Sequence, residues 1–312
     1  MRGRWTSNLS LDPRRYQRIT LVAVVLIAVI VVTGGAVRLA GSGLGCPDWP
    51  TCDKGQVVAP ADLHAWVEFG NRMVTGLVSV IVILAVLGSL VRRPRRRDLT
   101  MLSIGLVAGV VAQIVLGGLV VLFHLAPPLV MAHFSLSMLI VLDAVVLHHR
   151  AGQPDGGRRV TLVAPDQARM IRMLGVLAAI VIFLGTVTTA SGPHPGSNKG
   201  QVVDRLPIAL HDAARMHGIG VMLFLAFTLL TMWSLNRGGA PRSILVRGEI
   251  LLVVLVAQAV VGYVQYFTRL PVLLVGVHIA GATAVWIATV NLNLGIRAVV
   301  GDQPAPAVLV AA

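Results

Sequence analysis

Three histidines set in apolar surroundings, His133, His217 and His278, are the residues of this sequence with the most chemistry to offer. An imidazole is costly in a hydrocarbon medium unless it has a task, and its ordinary tasks are metal ligation and proton transfer. Taken singly, each is better read as an interior side chain bonded to a neighbouring carbonyl; it is the internal repeat that shifts the balance. A second group is Glu68, Asn71 and Arg72, spaced i, i+3, i+4. That spacing puts them on one helix face, with the carboxylate ahead of the guanidinium in the order that favours an ion pair. Glu68 is read either as half of a structural salt bridge near a helix start or as an acid–base group. Arg38 and Arg215 sit near the histidines, where guanidinium forks match carboxylates; anchoring at a membrane interface is the other reading. Cys46 and Cys52 are the only two cysteines. They exclude a disulfide-rich scaffold and a four-thiolate metal centre, and leave room for one short disulfide loop, as a staple or as a reducible relay.

The elements that must position these residues follow from composition. The chain has 312 residues, 56% hydrophobic and 12% charged, against about 25% charged in an ordinary soluble domain. A soluble globule is excluded. A hydrocarbon core about 30 Å thick needs about 20 apolar residues per helix, and eight runs meet that demand: 19–39, 67–91, 101–123, 128–147, 171–190, 216–235, 249–267 and 271–296. The first run follows Arg14, Arg15 and Arg18 in the manner of a signal peptide. Its length and its continuation into Thr33-Gly34-Gly35 favour a retained helix. The net charge of +13 is carried mostly by the termini and by loops 92–97, 150–172 and 237–247. This is the pattern of membrane topology, not of a nucleic-acid face. It predicts a multi-pass protein of the cell membrane with lipid around it, both termini cytoplasmic, and loops 40–66 and 191–215 outside.

The chain also repeats itself. Residues 111–118 (VAQIVLGG) resemble residues 256–263 (VAQAVVGY), and the same spacing separates His133 from His278. A Gly-, Asp- and Arg-rich linker at 151–167 divides two copies of four spans each, which an even span number sets parallel. The predicted fold is an all-α polytopic membrane protein of eight transmembrane helices, arranged as two tandem pseudo-symmetric four-helix bundles, 1–150 and 151–312. Under the repeat, Asn71 falls opposite His217, and Ala214 stands where Glu68 would fall. The second bundle then offers His217 and His278 on alternate helices, suited to gripping a haem iron from both faces. The first offers His133 opposite Asn71, a weaker ligand. One bundle is expected to hold a resident haem, the other an exchangeable one. His64, His124, His194 and His211 lie in loops or at helix margins as solvated or reserve groups; His148 and His149, beside Arg150, are given no haem role.

On this ordered set the chain resembles the haem A synthase family, as an actinobacterial-like member. The residues that carry the likeness are Thr33 to Leu39 (TGGAVRL), the Cys46 to Cys52 loop, Glu68-Phe69-Gly70-Asn71-Arg72, Ala132-His133, Met216-His217-Gly218 and Val277-His278. The resemblance implies an enzyme that oxidises the C8 methyl of haem O to the formyl of haem A, for cytochrome oxidases of the aa3 type. It implies haem b on His217 and His278, and substrate haem O in the first bundle with His133 on its iron and arginines on its propionates. It also implies a haem O synthase as donor and an electron acceptor that the sequence leaves unnamed. Family members commonly carry histidine in the position of Asn71, and His64 is the candidate replacement ligand. Association into a homo-oligomer is left open. Two rivals remain: a bis-histidine b-type cytochrome linked to quinone, and a repeat-built transporter, for which polar breaks at mid-membrane are expected.

Overall fold

In the computed structural model, residues 10–198 and 202–300 are described. Residues 1–9, 199–201 and 301–312 lie outside them, and with these the expected cytoplasmic position of the two termini. Eight helices are long and apolar enough to cross a membrane: α1 Pro13–Leu39, α2 Leu63–Val91, α3 Arg97–Leu122, α4 Pro127–Ala151, α5 Pro165–Ser191, α6 Leu210–Arg237, α7 Arg242–Phe267 and α8 Val272–Gly295. The eight-span expectation holds.

Several helices begin earlier than hydropathy alone suggests, because capping chemistry outside the apolar run sets the start. Asp12 caps α1 by accepting from the backbone N–H groups of Arg14 and Arg15, with Pro13 in the first position. Asp62 accepts from the N–H of Ala65 and starts α2 at Leu63. In α1 and α2 polar residues of the flanks are thereby drawn into helix; α6 also starts early, at Leu210 without a side-chain cap, so that His217 lies about two turns inside it.

Helices α1 to α4 pack as neighbours around a ring, and α5 to α8 do the same; α4 and α1 against α8, and α4 against α5, join the halves. Water does not drive these contacts within a bilayer, so close approach of small residues must. Ala23, Ala85, Ala144 and Ala178 are buried accordingly, and the ring of Tyr16 lies against Gly88. Large apolar side chains such as Leu77, Leu84, Val176, Ile250 and Val253 face outward, as lipid-facing surfaces require. At the seam between halves the indole Nε1 of Trp286 donates to the carbonyl of Met138 at 2.8 Å.

The linker between the halves contains a strand that the sequence does not announce. β1 (Arg158–Thr161) pairs antiparallel with β2 (Arg297–Val300), Arg158 opposite Val300 and Thr161 opposite Arg297. The basic loop before α3, read as a topology signal, is also built into the structure. The fully buried Arg92 guanidinium holds both carboxylate oxygens of Asp155 at 2.8 and 2.9 Å, and Arg96 pairs with Asp98 at 2.8 Å while donating to the carbonyls of Arg150 and Gln153. These bonds tie the linker to the end of the first half.

Candidate haem-ligating site

His133, His217 and His278 each lie about two turns inside the start of their helices, α4, α6 and α8. They occupy the helix ends opposite the Arg92–Asp155 cluster. The structure brings two of them together. The rings of His217 and His278 have centroids 6.3 Å apart and planes at 76°. Two metal–imidazole bonds of roughly 2 Å, with the distance from each nitrogen to its ring centre added, give about the same separation. His217 Nδ1 donates to the carbonyl of Val181 on α5 at 3.0 Å, which leaves Nε2 as the free donor atom of the ring. A second-shell bond of this kind is the usual way a ligating histidine is oriented. The Nδ1 atoms of His278 and His133 are buried without a hydrogen-bond partner among the described residues.

Each imidazole rests edge-on against a glycine of the preceding helix. A Cβ at Gly117 would lie 3.1 Å from Cε1 of His133, one at Gly185 3.2 Å from Cε1 of His217, and one at Gly262 3.1 Å from Cε1 of His278. The fourth position follows the pattern: Gly34 faces the Asn71 side-chain nitrogen at 4.0 Å from a built Cβ. Any side chain larger than glycine at 117, 185 or 262 pushes on a ring, whereas at 34 a Cβ would make ordinary contact with Asn71. Asn71 is further held by Thr33, whose hydroxyl donates to Asn71 Oδ1 at 2.9 Å. The repeated Val-Ala-Gln segments also acquire a reason. Gln113 Nε2 donates to the carbonyl of His133 at 2.9 Å, and Gln258 Nε2 to that of His278 at 2.7 Å, so each glutamine fixes the backbone of one histidine. The glycine and glutamine roles are absent from the sequence reading, although the repeat that contains them is legible.

Among the described residues no group of three His, Cys, Asp or Glu side chains is placed to hold a metal ion. A haem iron needs none, since the porphyrin supplies four nitrogens and the protein only axial ligands. The ring separation, the freed Nε2 of His217 and the glycine cradles fit that group.

Glu68, Asn71 and Arg72 share a face of α2 as expected, and the first and last of them grip the cysteine loop. Glu68 is buried, with Oε1 on Arg72 at 2.7 Å and Oε2 accepting from the Cys46 N–H at 2.8 Å. Arg72 also donates to the carbonyls of Thr51, Cys46 and Asp48. Cys46 and Cys52 form a disulfide, buried beneath that loop. The loop's Trp49 lies on Gly118, where a built Cβ would come within 2.6 Å of the indole, next to the His133 cradle. Gly118→Leu is therefore expected to lift Trp49 and lower stability by about 1–3 kcal/mol, read as a lower melting temperature. An unchanged melting temperature would place the loop elsewhere.

Arg38 donates to the carbonyls of His194 at 3.1 Å and Thr189 at 3.4 Å. Beside it, Arg205 reaches the same Thr189 carbonyl at 2.7 Å and that of Gly192. Burial draws the Arg205 pKa below the usual arginine value. The sequence reading did not single it out; Arg215, which it did, is exposed. His194 is bound through Nε2 to the carbonyl of Leu270, and His64 to Ser42. His64 lines an open cleft of about 560 Å³ with Leu39, Gly41 and Asn198. His124 and His211 are exposed.

Comparison with known proteins decides the family. The COX15-CtaA family, described as cytochrome oxidase assembly protein, matches residues 17–290, nearly the whole chain. The chain belongs to that family. Its COX15-CtaA relatives include proteins named heme A synthase from Shouchella clausii, 24% identical over 84% of this chain and 90% of theirs, and from Alkalihalophilus pseudofirmus, 25% identical over 82% and 89%. A third, from Bacillus mycoides, is 26% identical over 77% of this chain and 80% of its own length.

Proposed function

We propose that this chain is a haem A synthase of the cell membrane, oxidising the C8 methyl of haem O to a formyl group. The observation that carries the reading is the opposed pair His217 and His278 in one half, against His133 and Asn71 at the matching positions of the other. Supporting it are the eight spans, the family match and the names of the relatives. In this reading 151–312 is the cofactor half, with His217 and His278 on haem b, and 1–150 receives haem O on His133. With haem b bound, the second half has a one-electron redox centre through which electrons from the methyl oxidation can leave. The protein orients the methyl group and excludes competing chemistry.

The chain's own residues divide the remaining work. Asn71, held by Thr33, stands at the repeat position of His217 and would hold an iron less firmly than an imidazole, which suits a haem that must leave as product. Arg38, with Arg205 beside it, and the exposed Arg215 of α6 would meet propionates. Glu68 handles protons beside the reacting edge while Arg72 and the disulfide loop close the first half. The termini lie in the cytoplasm, a haem O synthase delivers substrate, and an electron acceptor completes the cycle.

The test is expression beside a haem O synthase in cells without haem A, followed by chromatography of the extracted haems. Haem A is expected only where this chain is present. Haem b with unaltered haem O would overturn the reading in favour of the quinone-linked cytochrome.

A further inference from the structure

At the end of the molecule opposite the histidines, a cleft of about 220 Å³ opens where the two halves meet the linker. At about 30 Å³ per water this is room for roughly seven waters, enough for one phosphate group with a few waters beside it. Its walls come from five elements: His149 and Arg150 of α4, Arg159 of β1, Arg172 of α5, Asn293 of α8 and Arg297 of β2. No acidic residue lines it. Four guanidiniums from four elements converge on one concavity, and none belongs to the haem-ligating site.

The local charge does not cancel. Asp98 is the nearest carboxylate, at 3.8 Å from both Arg150 and Arg159, but it is already held by Arg96 at 2.8 Å. The C-termini of α4 and α8 point toward the cleft, each worth about half a negative charge, so together they offset about one guanidinium of the four. Asp98 offsets at most one more. Arg172 and Arg297 are exposed and make no ion pair among the described residues. Their fork-shaped donors are left to an outside partner, and phosphate oxygens match such forks bidentately. The cleft lies at the membrane face that carries the basic loops, at the ends of spanning helices, where basic pockets between helices take phosphate headgroups.

We propose that this cleft is a binding site for a phosphate-bearing anion, which clamps the linker strand pair to both halves of the protein. The bound phosphate bridges Arg159 and Arg297 of the strands to Arg150 and Arg172 of the helices. It thus adds a tie between segments that also meet through the β1–β2 ladder, the Leu162–Ile296 backbone bond, and the Arg92–Asp155 and Arg96 bonds.

The test uses the full chain, purified in detergent, stripped of lipid, and returned to nanodiscs of phosphatidylglycerol or of phosphatidylcholine. Native mass spectrometry reads retained lipid and a melting curve reads stability; a parallel detergent sample receives inorganic phosphate. A saturable gain with phosphatidylglycerol alone assigns the phosphate to a lipid headgroup, and a gain with inorganic phosphate as well assigns it to a soluble anion; either supports the site. Arg172→Gln/Arg297→Gln is expected to weaken the gain about tenfold or more. Arg93→Gln/Arg95→Gln, an equal charge loss on exposed residues outside the cleft, is expected to leave it intact. The proposal is overturned if the wild-type chain gains nothing from either source, or if the two double variants weaken binding equally. Because the wild-type arms decide the first point, a cleft variant that fails to fold does not shield the proposal.

Discussion

His217→Ala and His278→Ala are each expected to abolish the resident haem of the second half and, with it, all conversion of haem O. The two imidazoles stand at the separation that one iron between them demands. Removing either would leave a haem bound there with one protein ligand to its iron instead of two. We expect bound haem b per chain to fall at least tenfold, together with loss of the low-spin spectrum that two histidine ligands give. The glycine cradles sharpen the test. Gly262→Leu keeps His278 but sets side-chain atoms where its ring edge now lies, so it should reproduce the alanine variant while leaving every potential ligand in the sequence. His133→Ala is expected to spare the second-half haem and lose only the substrate reaction. Full haem occupancy in His278→Ala would remove bis-histidine ligation from the account.

The parts of this architecture that were legible in the sequence are those fixed by local rules. Hydrocarbon thickness fixes the span length, so all eight helices could be counted. The repeat is written at a nearly constant spacing, 145 residues from His133 to His278 and 146 from Asn71 to His217, so each position pointed to its counterpart. What stayed hidden depends on contacts between distant segments. Gly117, Gly185 and Gly262 read as ordinary small residues of membrane helices until an imidazole is seen against each. Gln113 and Gln258 were visible only as repeat markers, because their hydrogen bonds go to backbone carbonyls on the next helix. Arg92 read as one of the loop charges that set topology, yet it is buried on Asp155, 63 residues along the chain. Strand β1 is four residues whose partner lies near the other end of the chain, and no local signal reports such a pairing.

Glu68 separates two roles that its geometry combines, and two substitutions distinguish them. It is the one carboxylate among the described residues that is buried, and its two oxygens serve Arg72 and the Cys46 N–H. Glu68→Ala withdraws both bonds. It leaves the Cys46 N–H unpaired, a loss of about 1–3 kcal/mol, and takes from the half-buried Arg72 its carboxylate partner while three loop carbonyls remain to it; it is expected to lower the melting temperature and loosen the loop over His133. Glu68→Gln keeps an oxygen for Cys46 and nearly the same shape, but its amide cannot accept and return a proton at neutral pH. If Glu68 serves the reaction as a proton group, Glu68→Gln should melt close to wild type, bind haem O with little change, and turn over about a hundredfold more slowly, within the range that a positioned acid–base group contributes. A Glu68→Gln chain that makes haem A at the wild-type rate, beside an unstable Glu68→Ala, would instead confine this carboxylate to holding Cys46 and Arg72 in place. The repeat supplies the physical ground for expecting the first result. Its second copy has Ala214 at this position, so the carboxylate accompanies only the half that we propose receives haem O.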